Sequence, residues 1–341
     1  MNTNSLNFNS LNSNGPSITT RTGLLAVMWA ILGAAAVTLI AWMAGLIYPT
    51  PLLAIEAVAP FTLLAVWPVA VVSCLRRRWV MAGVSLLCCG AHLSMVIPLV
   101  TAQSQPEWAH DAPTLSLAST NVMFDNEDKA AVARRVLEFD TDVVIVNEIT
   151  PAQREAFLRA GVFEKYPYVK FTDDDGQFGE LLMSRLPVES IRNRDLGTTW
   201  IVHAKIRVGS TLVNVIAQHT TAPKRGLRLN QWTQSLRHLG EFAASLAPEP
   251  VVIAGDFNSS PMHGPFRDLL ATGLSDAHQQ RGLAWTPSWG PDLGWASLGP
   301  IIRLDHAVVN SRMFTMSLTN EDMPGSDHVG FVARFAVQPA T

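Results

Sequence analysis

Hydrophobic and polar residues alternate along the 341-residue chain in two very different patterns. Up to about residue 101 the apolar positions run together in three long stretches, roughly 23–48, 51–74 and 79–101, with hardly a charge among them. Each meets the ~20 residues that an α-helix needs to cross the core of a bilayer. A cleaved signal peptide has a shorter apolar run, of about 7–15 residues. The pattern therefore predicts a membrane domain over 21–101 with three transmembrane helices. Before it, "MNTNSLNFNSLNSNGPSITT" (1–20) is rich in Asn and Ser, without charge or period, and reads as a disordered tail.

Beyond residue 101 the apolar residues come in short runs. A linker over 102–113 leads into a domain over 114–341. There "LSLASTNV" (115–122), "TDVVIVNEI" (141–149), "GELLMSR", "VVIAGDFN", "IIRLDHAVVN" and "GFVARFAV" have the length and β-branched content of strands. "WIVHAKIRVGSTLVNVIAQHT" reads as two strands of an antiparallel hairpin joined at Val208-Gly209-Ser210. "NEDKAAVARRVLEF", with Asn126 as its N-cap, "GLRLNQWTQSLRHLGEFAASL" (226–246) and "FRDLLATGL" have helical spacing. Hairpins mixed with crossover helices predict an α/β fold of two packed, largely antiparallel sheets covered by helices, because a purely parallel sheet needs regular βαβ alternation.

Charge orients the membrane domain. Arg21 precedes the first span and Arg76, Arg77 and Arg78 fill the loop between the second and third, whereas the "YPTP" loop has no Lys or Arg. Basic residues stay on the cytoplasmic side, so residues 102–341 are expected outside the cell membrane. Inside the spans, Glu56 is near an interface and His92 is deeper; a single interhelical hydrogen bond is the default for the latter. All three cysteines (Cys74, Cys88, Cys89) lie in the spans, which excludes a disulfide framework or Cys-based zinc site in the exported domain.

The strand ends carry the chemistry. "STNV" offers Asn121, "VNEI" Glu148, "AQHT" His219, "GDFN" Asp256 and Asn258, and "RLDH" Asp305, while the loop "GSDHVGF" offers Asp327 and His328. One such residue is an ordinary turn or cap. Six strand ends or adjoining loops supplying only Asn, Asp, Glu and His call for a common purpose, because an unpaired buried carboxylate is costly. Oxygen donors without thiolates suit a hard cation, Mg²⁺ or Mn²⁺, and a cation beside an Asp base and a His equips a site for attack of water on a phosphate ester.

In order and content, "VNEI", "GDFN", "LDH" and "SDH" resemble the endonuclease/exonuclease/phosphatase family, the DNase I-like phosphoesterases, over about residues 114–337. The resemblance implies a four-layered α/β sandwich. It makes Glu148 the principal metal ligand, with Asn121 and Asp327 on the metal side. It gives Asp256 the attacking water, Asn258 a phosphate oxygen, His328 the phosphate with Asp305 behind it, and His219 a transition-state donor role. Two departures thin the metal side and leave one or two ions open: Asn147 precedes Glu148 where the family has Gln, and Met123 stands where an acid sometimes follows.

Other features have plainer readings. His203, His238, His263 and His278 have no motif around them and read as core or surface residues. His306 points to the opposite face of its strand from Asp305. "FTDDDGQFGE" reads as a solvated turn, and Trp285, Trp289 and Trp295 as a loop overhanging the site.

The three spans resemble the family's membrane-anchored branch and imply a lipid-linked phosphate substrate such as polyprenyl pyrophosphate. An extracellular nuclease acting on DNA or RNA and a catalytically degenerate binding domain are the alternatives. All but one of the 28 acidic residues lie after position 101, whereas four of the 25 basic ones lie before it. The exported domain is thus net acidic, which weighs against the basic groove a nuclease wants.

Overall fold

The computed structural model describes residues 18–45, 50–172, 176–223, 226–290 and 299–339. The expected N-terminal tail, Asp173–Asp175 of the acidic turn and Trp295 lie outside the described residues, except that the first helix already begins at Ile18.

Among the described residues two helices are long and apolar enough to cross a membrane: Thr22–Met43, within α1 (Ile18–Met43), and α5 (Trp79–Val100). The middle stretch differs from the single span predicted for it. It is broken into α2 (Thr50–Ala57), α3 (Ala59–Thr62), a 3₁₀ turn (Leu63–Ala65) and α4 (Val66–Leu75), with the backbone leaving helical geometry at Val58 (φ −105°, ψ 12°). Pro60 explains the break. It has no N–H for the carbonyl of Glu56, and its ring collides with that carbonyl in a continuous helix; in the first turn of a new helix neither cost arises. His92 of α5 secures the broken segment. Trp67 Nε1–H donates to its Nδ1 (3.1 Å), and its Nε2 lies 2.8 Å from the Pro60 carbonyl oxygen.

Residues 102–113 do not hang free between the helices and the next domain. Ala102 bridges to Arg281, Gln103 N–H donates to the Gln280 carbonyl (2.9 Å), and Ala284 N–H reaches back to Leu99 (3.2 Å). Trp108 and Ala109 then pack on Phe314 and Ala336. The helices and the following domain share a core, in which Met262 and Ala284 join Leu32, Leu63 and Met95.

The downstream domain is built on two six-stranded sheets. The first has the order β11-β12-β1-β2-β4-β3, from β1 (Thr114–Asn121), β2 (Val143–Asn147), β3 (Tyr168–Phe171), β4 (Glu180–Ser184), β11 (Met313–Asp322) and β12 (Val329–Val337). The second has the order β5-β6-β7-β8-β10-β9, from β5 (Val188–Asp195), β6 (Trp200–Val208), β7 (Thr211–His219), β8 (Val251–Asp256), β9 (Leu274–Asp276) and β10 (Asp305–Asn310). Strand alternation decides which side chains meet. Val143 and Ile145 of β2 face the other sheet, among Val202, Val215 and Val252. Val144 and Val146 face outward, under α6 (Lys129–Glu138), α7 (Pro151–Arg159) and α8 (Val162–Lys165). On the second sheet's outer face, Ile216 and Ile253 meet α9 (Leu227–Ser245) and α10 (Gly264–Ala271). This is the two-sheet α/β sandwich expected, with helices on both outer faces.

β3, β5, β9, β11, α7 and the short α11 (Ala277–Gln280) are additions to the predicted elements. β5 could not be read from its pattern, since "VESIRNRD" is an edge strand in which only Val188 and Ile191 are apolar. The N-cap of α6 is Asp128, which accepts from Ala131 N–H, and not Asn126. Asn126 is instead buried, donating to the carbonyls of Val122 (3.0 Å) and Pro324 (2.8 Å).

Candidate active site

Register assembles the site. β7 and β8 run parallel with His219 beside Asp256, and β10 runs antiparallel to β8 with Asp305 beside Asp256. The three polar residues thus form a row across one end of the second sheet. In the first sheet β1 and β2 run parallel with Asn121 beside Asn147, and Glu148 follows directly. Asn147 joins the sheets: its amide donates to the Gln218 carbonyl (3.1 Å) and its Oδ1 accepts Asp256 N–H (3.0 Å). The unusual "NE" pair therefore has a structural use that the sequence reading did not find. Gly255 makes room for it. Its φ is +141°, and a Cβ there would lie 1.9 Å from the Gln218 carbonyl oxygen and 3.1 Å from Asn147 Oδ1.

Backbone strain concentrates in the same place. Among the described residues four non-glycines hold positive φ, and three of them, Met123 (59°), Glu148 (62°) and Asn258 (47°), follow the converging strands. Each costs on the order of 1–3 kcal/mol, and such strain gathers where surrounding contacts hold a side chain in position for function.

Asp256 is the focus. Its Oδ2 lies 3.3 Å from Asn121 Nδ2 and 3.4 Å from Asn258 Nδ2. His219 Nε2 is 3.5 Å from the same oxygen and His328 Nε2 3.8 Å. Burial pushes the Asp256 carboxyl up to about 6, against the pull of His328. Burial alone lowers His328, but Asp305 and Asp256 outweigh it and push the imidazole up to about 10, so it carries a proton at neutral pH. Asp305 Oδ2 holds His328 Nδ1 at 2.8 Å. Although burial opposes ionisation of Asp305, the charge of His328 and the hydrogen bonds from His328 and Ser288 keep its carboxyl below the usual range.

Ser288, another residue that sequence reasoning missed, is buried behind this pair. It donates to Asp305 Oδ2 (2.7 Å) and accepts the N–H groups of Leu304 (2.9 Å) and Asp305 (3.1 Å). A serine in a loop gives no sequence signal of such a contact.

The remaining expected residues are placed as follows. Glu148 accepts from Asn121 Nδ2 (3.0 Å) and Phe124 N–H (3.1 Å). Asn121 is at the site, where its Oδ1 accepts Met123 N–H (3.0 Å) and its amide turns to the two carboxylates and steadies them; the second lone pair of Oδ1 is left over. Asn258 Nδ2 donates to the Thr220 carbonyl (2.8 Å) and lies 3.3 Å from His219 Nε2. Asp327 borders the same cavity, yet it stands outside the clusters around Asp256 and accepts Trp289 Nε1–H at 2.8 Å. The overhanging tryptophan is thus a hydrogen-bond donor as well as an apolar surface.

Two groups around Asp256 can hold a metal ion, Glu148–His219–Asp256 and Asp256–Asp305–His328, with ligand atoms within 4.8 Å of one another. In the second, His328 Nδ1 is already bound to Asp305, so the first suits a hard divalent cation better, with carboxylate oxygens from both sheets. A third group, Asp276–His278–His306, is fully buried. There Arg303 Nη1 donates to His278 Nε2 (2.7 Å), and both ring nitrogens of His306 are engaged, by Asp276 Oδ2 (2.7 Å) and the Ser259 carbonyl (2.9 Å). A buried guanidinium beside the cluster repels a cation, so this is a structural network. His203 is likewise a core residue, 2.9 Å from Asn214 Oδ1.

The row opens into a cavity of about 540 Å³. Glu148, His219, Asp256, Asn258 and His328 line its polar end, and Phe124, Phe178, Trp289, Ile302 and Leu304 its flanks.

The sequence model of the Endonuclease/Exonuclease/phosphatase family matches residues 118–328. Among solved structures, D. rerio TDP2 complexed with single-strand DNA product is 20% identical, with a TM-score of 0.55 over 65% of this chain and 98% of that one. A humanized D. rerio TDP2 is 21% identical, with a TM-score of 0.54 over 65% and 98%. An endonuclease/exonuclease/phosphatase from Beutenbergia cavernae is 18% identical, with a TM-score of 0.52 over 67% and 72%. These likenesses concern the fold. No curated protein matches the chain. Enzymes of the matching family are phosphoester hydrolases that generally use divalent metals. With the site's polar row contained in the matched segment, the chain belongs to the endonuclease/exonuclease/phosphatase family.

Proposed function

We propose that the protein is a membrane-anchored, Mg²⁺- or Mn²⁺-dependent phosphoesterase that hydrolyses a lipid-linked phosphate ester or pyrophosphate, such as polyprenyl pyrophosphate, outside the membrane. One observation carries this reading: a focus of carboxylates and histidines at the end of a cavity whose flanks are apolar, in a chain with two helices able to cross a bilayer. Beyond its phosphate end the substrate then meets Phe124, Phe178, Trp289, Ile302 and Leu304, among which Asp125, Gln177, Thr221 and Arg228 also line the cavity.

Glu148 and Asp256 would hold the cation, with Asp327 completing that side if Trp289 released it; a cation held there would supply positive charge against the phosphate oxygens and the developing transition state. Asp256 orients the attacking water and takes its proton. His328, kept protonated by Asp305, donates to a phosphate oxygen, and Asn258 and His219 hold the others. Attack at phosphorus breaks the P–O bond on the far side; the leaving oxygen, as part of a lipid monophosphate or protonated by His328, stays at the polar end while the lipid tail lies along the apolar flank. Purified full-length protein in detergent is expected to release phosphate from polyprenyl pyrophosphate or another phospholipid faster than it cleaves DNA. EDTA should abolish the activity, and either Mg²⁺ or Mn²⁺ should restore it.

A nuclease is the second reading, favoured by the D. rerio TDP2 structure with its single-strand DNA product. Against it, Arg228 is the single Lys or Arg among the described residues that line the cavity, where a nucleic-acid groove needs several phosphate contacts. Cleavage of plasmid DNA with every lipid phosphate left intact would install that reading. A degenerate binding domain predicts no turnover of either.

The orientation has its own test. With Arg76, Arg77 and Arg78 inside, protease added to intact spheroplasts should digest residues 102–341. Digestion only after the membrane is opened would place the site in the cytoplasm.

A further inference from the structure

The catalytic cavity is not made by the phosphoesterase domain alone. Leu53, Ala54 and Ala57 of α2, which precede the domain by more than 50 residues of chain, border the same cavity as Glu148, Asp256 and His328. Helix α2 is fastened there. His263 Nε2 lies 3.1 Å from the Leu53 carbonyl oxygen, while its Nδ1 accepts Ser260 N–H (3.0 Å) in the loop that follows Asn258. Leu53 is buried in one core with Phe257 and Phe266. Arg267 of α10 donates to the Trp42 carbonyl at the end of α1 and stacks over the Trp42 ring at 4.9 Å. Gly264 comes so close to Gly45 that a Cβ there would lie 3.0 Å from its carbonyl oxygen.

Next to Leu53, however, Ala54 is exposed and Ala57 half-buried, so the cavity wall presents two methyl groups where larger side chains would fill the space. Leu52 and Ile55 on the same helix are exposed too, by 45% and 47%. The apolar surface therefore continues from the wall of the site onto the outside of a helix that joins the membrane segments.

Resting on the lipid-phosphate reading above, we infer that α2 is the substrate's tail-binding wall: the hydrocarbon chain of the lipid lies against Ala54 and Ala57 while its phosphate sits at Asp256 and His328. The site is thus composite, and the break at Pro60 that shortens the middle stretch is what lets α2 turn to the catalytic domain. A helix that spanned the bilayer as part of a continuous rod could not also wall the cavity. The occupant is a flexible apolar chain, because α2 offers the cavity only Leu53, Ala54 and Ala57, and the neighbouring His263 has its ring nitrogens engaged by the Leu53 carbonyl and Ser260 N–H.

The test uses the full-length chain in mixed micelles and a series of pyrophosphates of rising chain length: dimethylallyl, geranyl, farnesyl and geranylgeranyl. Each methylene buried against the wall is worth about fourfold in affinity, so kcat/KM of the parent should climb at least tenfold (order of magnitude) from the shortest to the longest. Ala54→Phe and Ala57→Phe fill the wall and should flatten that climb to about threefold or less. A photoreactive farnesyl pyrophosphate analogue bound to the parent chain should attach within residues 50–58, a readout that needs no variant to fold. A chain-length climb that persists unchanged in both variants, or attachment confined to residues beyond 101, overturns the composite wall while leaving the lipid reading intact. Equal loss on every chain length makes the alanines merely structural and also overturns it. A parent that hydrolyses no member of the series and no other lipid phosphate overturns the lipid reading, and the wall with it.

Discussion

Replacing Glu148 by Gln or Asp256 by Asn is expected to lower turnover by at least about a hundredfold with the fold retained, the loss usual for removing a metal ligand or a catalytic base. The amides are chosen because they keep the shape. Asn at 256 can still accept Asn258 N–H on its Oδ1, as Asp256 does at 2.7 Å, and Gln at 148 can still accept Phe124 N–H. What disappears is charge. Asp256 sits 3.5 Å from His219 and 3.8 Å from His328, so without its negative charge the site keeps donors and loses its base. Steady-state kinetics on the best substrate, with melting temperatures as the folding control, decide the matter. Parent-like turnover in either folded variant would remove that carboxylate from the chemistry.

The second large effect is on stability. Gly255→Ala should destabilise the protein by at least about 3 kcal/mol, in the range reserved for a named steric or backbone fault. Its φ of +141° is foreign to an L side chain, and the new Cβ would meet the Gln218 carbonyl oxygen at 1.9 Å. That carbonyl also accepts the Asn147 amide, so the neighbour cannot yield without opening the junction between the two sheets. Thermal unfolding in detergent measures the change. A midpoint within a degree or so of the parent would mean that β7 and β8 can separate at this point, and that the junction is looser than its geometry.

The polar row was legible early because it is local. A strand of Val and Ile ending in Gly-Asp-Phe-Asn states in ten residues that a polar group stands at the end of a buried element, and the same holds for "VNEI" and "RLDH". The apolar runs near the N-terminus were legible for the same reason, and so was the two-residue turn at Gly209-Ser210 between β6 and β7. Local pattern failed where the deciding contact lay elsewhere. Asn126 looked like a cap, but its partner at Pro324 is nearly 200 residues away in the chain. The middle apolar stretch had the length of a span, yet Pro60 broke it and His263 claimed the carbonyl of Leu53.

By itself, then, the sequence determined which segments are apolar, where strands end, and which acids, amides and histidines stand at those ends, since burial and side-chain period depend on neighbours a few residues apart. Only the tertiary structure decided that Asn147 ties the sheets, that Ser288 backs Asp305, that Asn121 turns its amide to Glu148, and that α2 walls the cavity. Those are contacts between groups from 17 to 210 residues apart, made by strand register and by helices docking on distant loops. A hydrogen bond needs its partner within about 3 Å and in line, and no spacing along the chain encodes that.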